Sequence, residues 1–199
     1  MTEEQKISYA IGHNIGQQFA GVLSLDPAMV VNGIQSVTAG TSLFSEEEMQ
    51  QIFMLVQKKF QEHQQKAAGV EKERGIAFLA ENRKKEGVKE TSSGLQYKVV
   101  KMGTGNKPVA TDRVKVHYHG TTIDGDVFDS SVERGEPITF GLNQVIAGWT
   151  EGVQLMPVGS KFIFYIPSDL AYGDRAMGDK IKAGSTLIFE VELFEINPK

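Results

Sequence analysis

Two clusters of titratable residues in the C-terminal half of the chain are of types that could bind a metal ion. His117 and His119 alternate on a predicted strand and would face the same way, but no further histidine or cysteine lies at zinc-ligand spacing. The run DGDVFD, residues 124–129, carries three carboxylates but lacks the spacing and the closing glutamate of a calcium loop. We therefore interpret the histidines as solvent-facing and Asp124-Gly125 as a hairpin turn, and we expect no metal site and no cofactor.

A second candidate site is apolar and centres on the only tryptophan of the chain. Trp149 ends the short segment VIAGW, residues 145–149, and glycines at positions 141, 148, 152 and 159 interrupt the surrounding stretch. Such a segment predicts a short element with a tight backbone that presents an indole ring to something apolar. On this stretch alone, a core tryptophan is favoured over a binding surface.

The motifs that flank the tryptophan change this interpretation. Five short motifs follow one another: VHYHG with Tyr118, FDSS from Phe128, Arg134-Gly135, VIxGW from Val145 and LAYG from Leu170. In their order and approximate spacing, these motifs resemble those of the FKBP-type peptidyl-prolyl isomerases. The resemblance implies an enzyme that rotates X-Pro peptide bonds, a reaction that needs neither a nucleophile nor a metal because no covalent bond is broken.

The resemblance also implies roles for individual residues. Asp129, Tyr172, Phe128 and Ile146 would be catalytic. The Ile146 N–H and the Tyr172 hydroxyl would donate to substrate carbonyls, and Asp129 would accept locally or polarise the surroundings of the bound amide. Trp149 would form the floor of the pocket under the proline ring. The other substrate-binding residues would be Tyr118, Phe140, Val145, Ile181 and Phe189.

An apolar pocket suits this reaction for a physical reason. Rotation about an amide bond has a barrier of about 18–20 kcal/mol, because resonance is lost as the bond twists. Charge separation falls in the twisted amide, so an apolar pocket would favour it over the planar ground state. Arg134 would pair with Asp129 or orient a tyrosine, which is a supporting role.

One segment departs from the family pattern. The loop Asp174–Ser185, DRAMGDKIKAGS, lacks the Ile-Pro-Pro commonly found there. Ile181 keeps the apolar position, Lys180 and Lys182 flank it, and Met177 would lie at the tip of the loop. Because this loop overhangs the pocket in the family, the departure affects substrate preference and inhibitor affinity rather than the fold.

Composition argues against several other classes of function. The formal net charge of −4 disfavours nucleic-acid and anionic-membrane partners. No apolar run is long enough for a transmembrane helix, no signal peptide is visible, and the absence of cysteine removes disulfides and thiolate nucleophiles. We expect a cytoplasmic protein on the chain as given. The alternative is the periplasm or cell envelope, if Met1 replaces a cleaved signal peptide.

The C-terminal half must provide a sheet and a short helix to position the site. Alternation with a period of two predicts strands over residues 95–101, 113–123, 137–142, 160–167 and 185–196. We expect an α+β isomerase domain over residues 88–199, in which an antiparallel half-barrel sheet wraps around the short helix at Trp149.

The N-terminal half predicts three helices. They cover residues 5–22, a segment from Asp26-Pro27 to about Gly40, and residues 45–86, where Ser45 and Glu48 form a capping box. Residues 61–74 are polar on all sides, which predicts a helix that crosses solvent. We expect a helical dimerisation domain over 1–44 and a stalk helix over 45–87. Gly69 and Gly75 could make this stalk helix more flexible, or they could simply be tolerated at exposed positions.

The apolar residues of these helices need a partner surface. Three short helices alone would make only a marginal hydrophobic core. A second copy of the chain would cover the apolar stripe of the third helix, which consists of Met49, Ile52, Phe53, Val56 and Phe60. The segment KISYAIG, residues 6–12, and the long third helix resemble the dimerisation module of the Mip-like bacterial isomerases. That resemblance implies a V-shaped homodimer formed through the N-terminal helices.

The expected partners follow from the family resemblance. They are proline-containing polypeptide clients and macrolide inhibitors such as tacrolimus or rapamycin, and we expect chaperone-like binding of unfolded or partly folded chains. The alternatives are a non-catalytic holdase that uses the same pocket and the cleft of the dimer, and a docking adaptor that uses the domain as a binding module.

Overall fold

The computed structural model describes residues 1–198, which form two compact units. The first unit comprises residues 1–65 and is helical, whereas the second begins at residue 66 and contains the sheet. The third helix continues through this boundary, so its residues 66–82 belong to the unit that contains the sheet. The predicted domains 1–44, 45–87 and 88–199 stay predictions.

Three helices account for most of the N-terminal half, as the sequence predicts. They are α1 (Glu3–Phe19), α2 (Pro27–Ala39) and α3 (Glu46–Asn82). Helix α1 ends three residues before the predicted end, and α3 ends four residues before the predicted end. No helix among the described residues is long and apolar enough to cross a membrane.

Side-chain caps fix where the second and third helices begin. The Asp26 carboxylate accepts a hydrogen bond from the backbone N–H of Ala28, at 2.9 Å, and Pro27 follows at the first helical position. The Ser45 hydroxyl accepts from the Glu48 N–H, and the Glu48 carboxylate accepts in return from the Ser45 N–H at 2.8 Å. The predicted capping box is therefore confirmed.

Much of the apolar surface of the first unit is exposed. No residue of α1 or α2 is buried, and Phe53 on α3 is 59% exposed. Phe19 and Phe60 pack edge to face, with ring centroids 5.5 Å apart. Part of the predicted stripe therefore has a partner within the chain, while Ile52 and Phe53 lack cover within this unit.

The second part of α3 differs from the sequence-based expectation. The predicted solvent-crossing run, residues 61–74, is buried at Ala68 and Glu71, and Gly75 and Asn82 beyond it are also buried within the second unit. Ala68 and Gly75 are small residues, which explains part of the difference. They allow the backbone of the helix to lie against neighbouring loops, so burial here needs no large apolar side chain.

All strand pairs in the second unit are antiparallel, and they form a single sheet. The strands are β1 (Val88–Glu90), β2 (Gln96–Lys101), β3 (Arg113–Thr122), β4 (Val127–Ser130), β5 (Ile138–Gly141), β6 (Lys161–Ile166) and β7 (Leu187–Ile196). Their order is β1-β2-β6-β7-β3-β4, and β5 pairs with the N-terminal part of β3. The five predicted strands are present, and β1 and β4 are two short strands that were not predicted.

The helix at Trp149 packs closely on the inner face of the sheet. Between β4 and β5 lies the one-turn helix α4 (Ser131–Arg134), and α5 (Ala147–Val153) lies between β5 and β6. A Cβ atom on Gly148 would come within 2.4 Å of Ile166, and one on Gly152 within 2.7 Å of Phe164. These two glycines therefore let α5 approach β6. The unit has the predicted α+β architecture, with a sheet around one short helix.

Candidate active site

One cavity brings together all ten predicted site residues. It has a volume of about 880 Å³ and lies between α5, the inner face of the sheet and the loop that follows Tyr172. The predicted residues that line it are Tyr118, Phe128, Asp129, Phe140, Val145, Ile146, Trp149, Tyr172, Ile181 and Phe189.

Trp149 is held in the cavity by a cage of aromatic rings. Tyr118, Phe140 and Phe189 each lie edge to face with the indole, with centroid distances of 5.4, 5.7 and 5.3 Å. Phe128 packs in the same manner on Phe189. Edge-to-face pairs such as these fix ring orientation as well as burying area. The buried Trp149 Nε1 has no hydrogen-bond partner among the described residues.

The two predicted donors, the Ile146 N–H and the Tyr172 hydroxyl, belong to residues that line the cavity. Ile146 is the N-cap residue of α5 and therefore lies at the N-terminus of this helix, where the first backbone N–H groups lack intrahelical acceptors. Its own N–H donates no hydrogen bond within residues 1–198. Tyr172 is half-buried at another part of the cavity wall, next to the 3₁₀ turn Ser168–Leu170.

A hydrogen-bonded polar corner interrupts the apolar wall. The Tyr118 hydroxyl donates to one oxygen of the Asp129 carboxylate, and the Arg134 guanidinium donates to the other oxygen. Arg134 also donates to the Tyr118 hydroxyl, at 3.0 Å. Arg134 thus pairs with Asp129 and also contacts the Tyr118 hydroxyl, although the sequence predicted one of these contacts or the other.

The pKa values in this corner respond to burial and to these bonds. Burial raises the pKa of the Tyr118 hydroxyl, and the bond to Asp129 raises it further. Burial alone would raise the pKa of the Asp129 carboxyl, but hydrogen bonds from Tyr118 and Arg134 outweigh it and hold that pKa below its ordinary value. Asp129 is therefore an ionised acceptor at neutral pH.

The atypical loop contributes one side of the cavity. Met177 and Ile181 form an isolated antiparallel bridge, and Ile181 is buried while Met177 is exposed. The Lys180 ammonium donates to the carbonyl of Val127, at 2.5 Å, and so links the loop to the start of β4. The loop therefore adds charged groups to the rim of the cavity, besides those of the polar corner.

Other lining residues were not among the predicted ones. Ile138 and Gln144 line the cavity, as do the polar residues Asp179 and Lys180 of the loop. Ile138 lies two residues before Phe140 on β5, so the period of two along a strand could have identified it. Gln144 is the last residue of a 3₁₀ helix, Leu142–Gln144, before α5, and no sequence pattern indicates its position.

The residues considered as metal ligands have other partners. His117 Nδ1 lies 2.9 Å from the Ser131 hydroxyl, and His119 Nδ1 lies 3.0 Å from the Ser130 hydroxyl. Asp124 forms an ion pair with Arg74 at 2.6 Å. Among residues 1–198, no group of three histidine, cysteine, aspartate or glutamate side chains could hold a metal ion.

Two models of known protein families together match nearly the whole chain. Residues 104–194 match the family model described as "FKBP-type peptidyl-prolyl cis-trans isomerase". Residues 4–99 match the model described as "Domain amino terminal to FKBP-type peptidyl-prolyl isomerase". The second match includes the helices of the first unit.

Several named proteins are similar over their length. The "FKBP-type peptidyl-prolyl cis-trans isomerase FkpA" of Aeromonas hydrophila is 49% identical over 205 residues, which covers 97% of this chain and 76% of the relative. The "FKBP-type 22 kDa peptidyl-prolyl cis-trans isomerase" of Escherichia coli K12 is 46% identical, with 98% and 96% covered. The "Outer membrane protein MIP" of Legionella longbeachae is 41% identical, with 98% and 86% covered.

A solved structure is similar across the full chain as well. The crystal structure of FkpA from Escherichia coli has a TM-score of 0.74 and 36% sequence identity to this chain. The similarity covers 99% of this chain and 98% of that one. Sequence and fold therefore point to the same set of proteins.

Proposed function

The chain belongs to the family of FKBP-type peptidyl-prolyl cis-trans isomerases and catalyses rotation about X-Pro bonds, and on this premise we propose that the cavity floored by Trp149 is its active site. The observation that carries this proposal is that ten residues, assigned through the family resemblance before the fold was known, all line one cavity. Its volume of about 880 Å³ lies within the range of roughly 300–1,000 Å³ usual for ligand pockets.

The aromatic cage would act on the amide through its low polarity. A proline ring on the face of Trp149 would leave the X-Pro bond surrounded by Phe128, Tyr118 and Phe189. A planar amide is strongly dipolar, whereas the twisted amide is less so because its resonance is lost. A site that excludes water would therefore favour the twisted form and lower the barrier, about tenfold for each 1.36 kcal/mol of differential binding.

Fixed polar groups would hold the peptide while the bond rotates. The Ile146 N–H and the Tyr172 hydroxyl are the donors that we assign to substrate carbonyls, and the Ile146 N–H donates to no backbone carbonyl within the described residues. Asp129 would keep the Tyr118 ring in place and would place negative charge beside the bound amide. Phe128 would form the wall next to this carboxylate. None of these roles requires proton transfer.

The rate of cis-to-trans rotation in a short prolyl peptide tests this assignment directly. Trp149→Leu should lower the catalysed rate at least about tenfold, because the aromatic floor is lost. Val132→Leu is a suitable control, since Val132 is 55% exposed and does not line the cavity. Full activity in the Trp149 variant would place the active site elsewhere.

Proline-containing polypeptides are the substrates that this site would take, and macrolides such as tacrolimus or rapamycin would compete for the same cavity. Refolding of a protein limited by prolyl isomerisation would measure action on a whole chain. We also propose chaperone-like binding of such clients, supported by the exposed apolar residues of α1 and α2. Suppression of client aggregation by a catalytically inactive variant would separate this binding from turnover.

A homodimer through the N-terminal helices is a further part of the proposal. It is supported by Phe53 and Ile52, which lie on the predicted stripe and lack cover within their unit. Exposed apolar residues also occur on α1 and α2, including Tyr9 and Val37. A second copy of the chain would bury these side chains.

The comparisons do not support the expectation of a cytoplasmic location. One relative, from Legionella longbeachae, is named an outer membrane protein, which favours the alternative of the periplasm or cell envelope. We propose this alternative, and fractionation of the source cells with detection of the native protein would test it.

A further inference from the structure

The atypical pocket loop has a narrow neck. Gly173 and Gly184 lie at its two ends, and the Gly184 N–H donates to the Gly173 carbonyl at 2.8 Å. Tyr172 directly precedes one side of this neck, and Ile181 lies three residues before the other side. Any displacement of the neck would therefore move two residues that line the cavity.

The backbone of helix α3 lies directly against this neck. A Cβ atom on Gly184 would come within 2.3 Å of the Ala68 carbonyl oxygen and 3.1 Å of the Lys72 nitrogen. Gly184 also has a φ of +84°, a conformation that side chains disfavour. The backbone of α3 and the backbone of the neck are thus in direct contact, with no side chain between them.

A second close approach follows two turns further along the helix. A Cβ atom on Gly75 would lie 2.2 Å from Thr186 Oγ1 and 3.1 Å from Thr186 Cβ. Thr186 is buried and directly precedes β7, the strand that carries Phe189. Gly75 therefore sets the distance between α3 and the start of a strand that forms part of the aromatic cage.

Two ion pairs link the same helical segment to other pocket loops. The Lys72 ammonium lies 2.7 Å from the Asp169 carboxylate, three residues before Tyr172. The Arg74 guanidinium lies 2.6 Å from Asp124, in the hairpin that precedes Phe128. All four side chains are partly exposed, so each pair is a weak link, and its loss should displace the pocket loops only slightly.

On the premise that the cavity is the active site, we infer that residues 68–75 of α3, here called the support segment, position the pocket loops for substrate binding. Gly75 is a positioning residue in this arrangement, although it lies outside the cavity and contacts no substrate. The support segment contacts the neck, the start of β7, the turn before Tyr172 and the hairpin before Phe128. Displacement of the support segment would alter peptide affinity through these four contacts.

Gly75→Ala tests this inference, because the added methyl group would clash with Thr186. We expect KM for a short prolyl peptide to rise about 2- to 30-fold, with a smaller change in kcat. Trp149 fluorescence should shift too, and as the only tryptophan it reports on the cavity alone. The matched control is Gly69→Ala, since a Cβ atom at Gly69 meets nothing within 4 Å.

A compensating change makes the test specific. Thr186→Ala removes the oxygen nearest to the added methyl group but keeps the Cβ atom at 3.1 Å. Gly75→Ala with Thr186→Ala should therefore move both KM and Trp149 emission most of the way back to the wild-type values. The inference is overturned if Gly75→Ala behaves like Gly69→Ala in both measurements, or if the double variant restores neither. A wild-type chain without activity would overturn the proposed function instead, and Trp149 emission would still decide the role of Gly75.

An exposed pair provides a second test if Gly75→Ala does not fold. Lys72→Glu should raise KM about 1.5- to 5-fold by repelling Asp169, and the charge swap Lys72→Glu with Asp169→Lys should reverse this. Both side chains face solvent, so the fold is not at risk. An unchanged KM and unchanged Trp149 emission in Lys72→Glu would then overturn the inference.

Discussion

The Tyr118 hydroxyl on β3 donates a hydrogen bond to the Asp129 carboxylate on β4, and Arg134 donates to both groups. This contact joins the polar corner of the cavity to the aromatic cage, because the Tyr118 ring also packs on Trp149 at 5.4 Å. Both Asp129 oxygens are engaged within the protein. The carboxylate is therefore suited to orientation and electrostatics, as expected for a reaction without proton transfer.

Asp129→Asn should lower kcat/KM at least about tenfold. The amide keeps the shape of the side chain, but it loses the charge that holds Arg134 and accepts from Tyr118. Hydrogen bonds to charged groups contribute roughly 1.5–3 kcal/mol, which sets this magnitude. The cis-to-trans rate of a short prolyl peptide measures the effect.

Asp112→Asn is the matched control for this substitution. Asp112 also accepts hydrogen bonds, from the Val109 N–H and the Asn197 amide, but it lies outside the cavity. It should therefore leave kcat/KM unchanged. Wild-type activity and wild-type peptide affinity in Asp129→Asn would show that Asp129 has no role in the active site.

The Asp129 carboxyl should also make stability depend on pH. Its pKa is below the ordinary value in the folded chain, so it contributes stability above the pKa of the unfolded chain, about 3.9. That contribution is lost as pH falls through the depressed folded value. Urea unfolding at a series of pH values should show the difference between wild type and Asp129→Asn shrinking as pH falls below about 5. A difference that grows at low pH would contradict the direction of the shift.

Tyr172→Phe and Phe128→Ala should differ in severity. Tyr172→Phe removes one donor and should lower kcat/KM about 2- to 10-fold, since a hydrogen bond contributes about 0.5–1.5 kcal/mol. Phe128→Ala removes a wall of the cavity and the ring that packs on Phe189, so a loss of at least about tenfold is expected. The same peptide assay compares them. A larger loss in Tyr172→Phe than in Phe128→Ala would show that hydrogen bonding outweighs the apolar wall.

Most residues of the cavity could be predicted because they lie in short motifs that resemble those of the family, whereas Phe140, Ile181 and Phe189 lie outside these motifs and were assigned through the resemblance. Trp149 and Ile146 are three residues apart at one end of α5, and Phe128 and Asp129 are adjacent. The contact between Gly75 and Thr186 could not be predicted in this way. It joins positions far apart in the chain, and a glycine in a polar helix gives no sign of what it approaches.

The fold shows the same division between local and long-range information. Strands with clear alternation, such as β3 and β7, lie within two residues of their predicted bounds. The three residues of β1 are too few to show a period, and their pairing with β2 depends on the turn between them. The polar composition of residues 61–74 predicted exposure, whereas small residues allow burial of the backbone there.

Phe53→Glu should shift the chain towards a monomer. Phe53 is 59% exposed within its unit, and a charge there would oppose burial against a second copy. Gln51→Glu adds the same charge on the opposite face of α3, at an exposed polar position, and should leave assembly unchanged. Sedimentation at micromolar concentration distinguishes the two variants. A wild-type chain that sediments as a monomer would remove the dimer from the proposal.

Gly69→Ala should stabilise α3 without changing the cavity. Alanine is favoured over glycine by about 1 kcal/mol in a helix interior, and the added methyl group has open space. Helicity should rise, while isomerisation of a short peptide should stay at the wild-type rate. If bending of α3 at Gly69 aids the capture of large clients, proline-limited refolding of a whole protein should slow in this variant. Unchanged refolding together with raised helicity would show that Gly69 is merely tolerated. Gly69 would then differ from Gly75, which packs against Thr186.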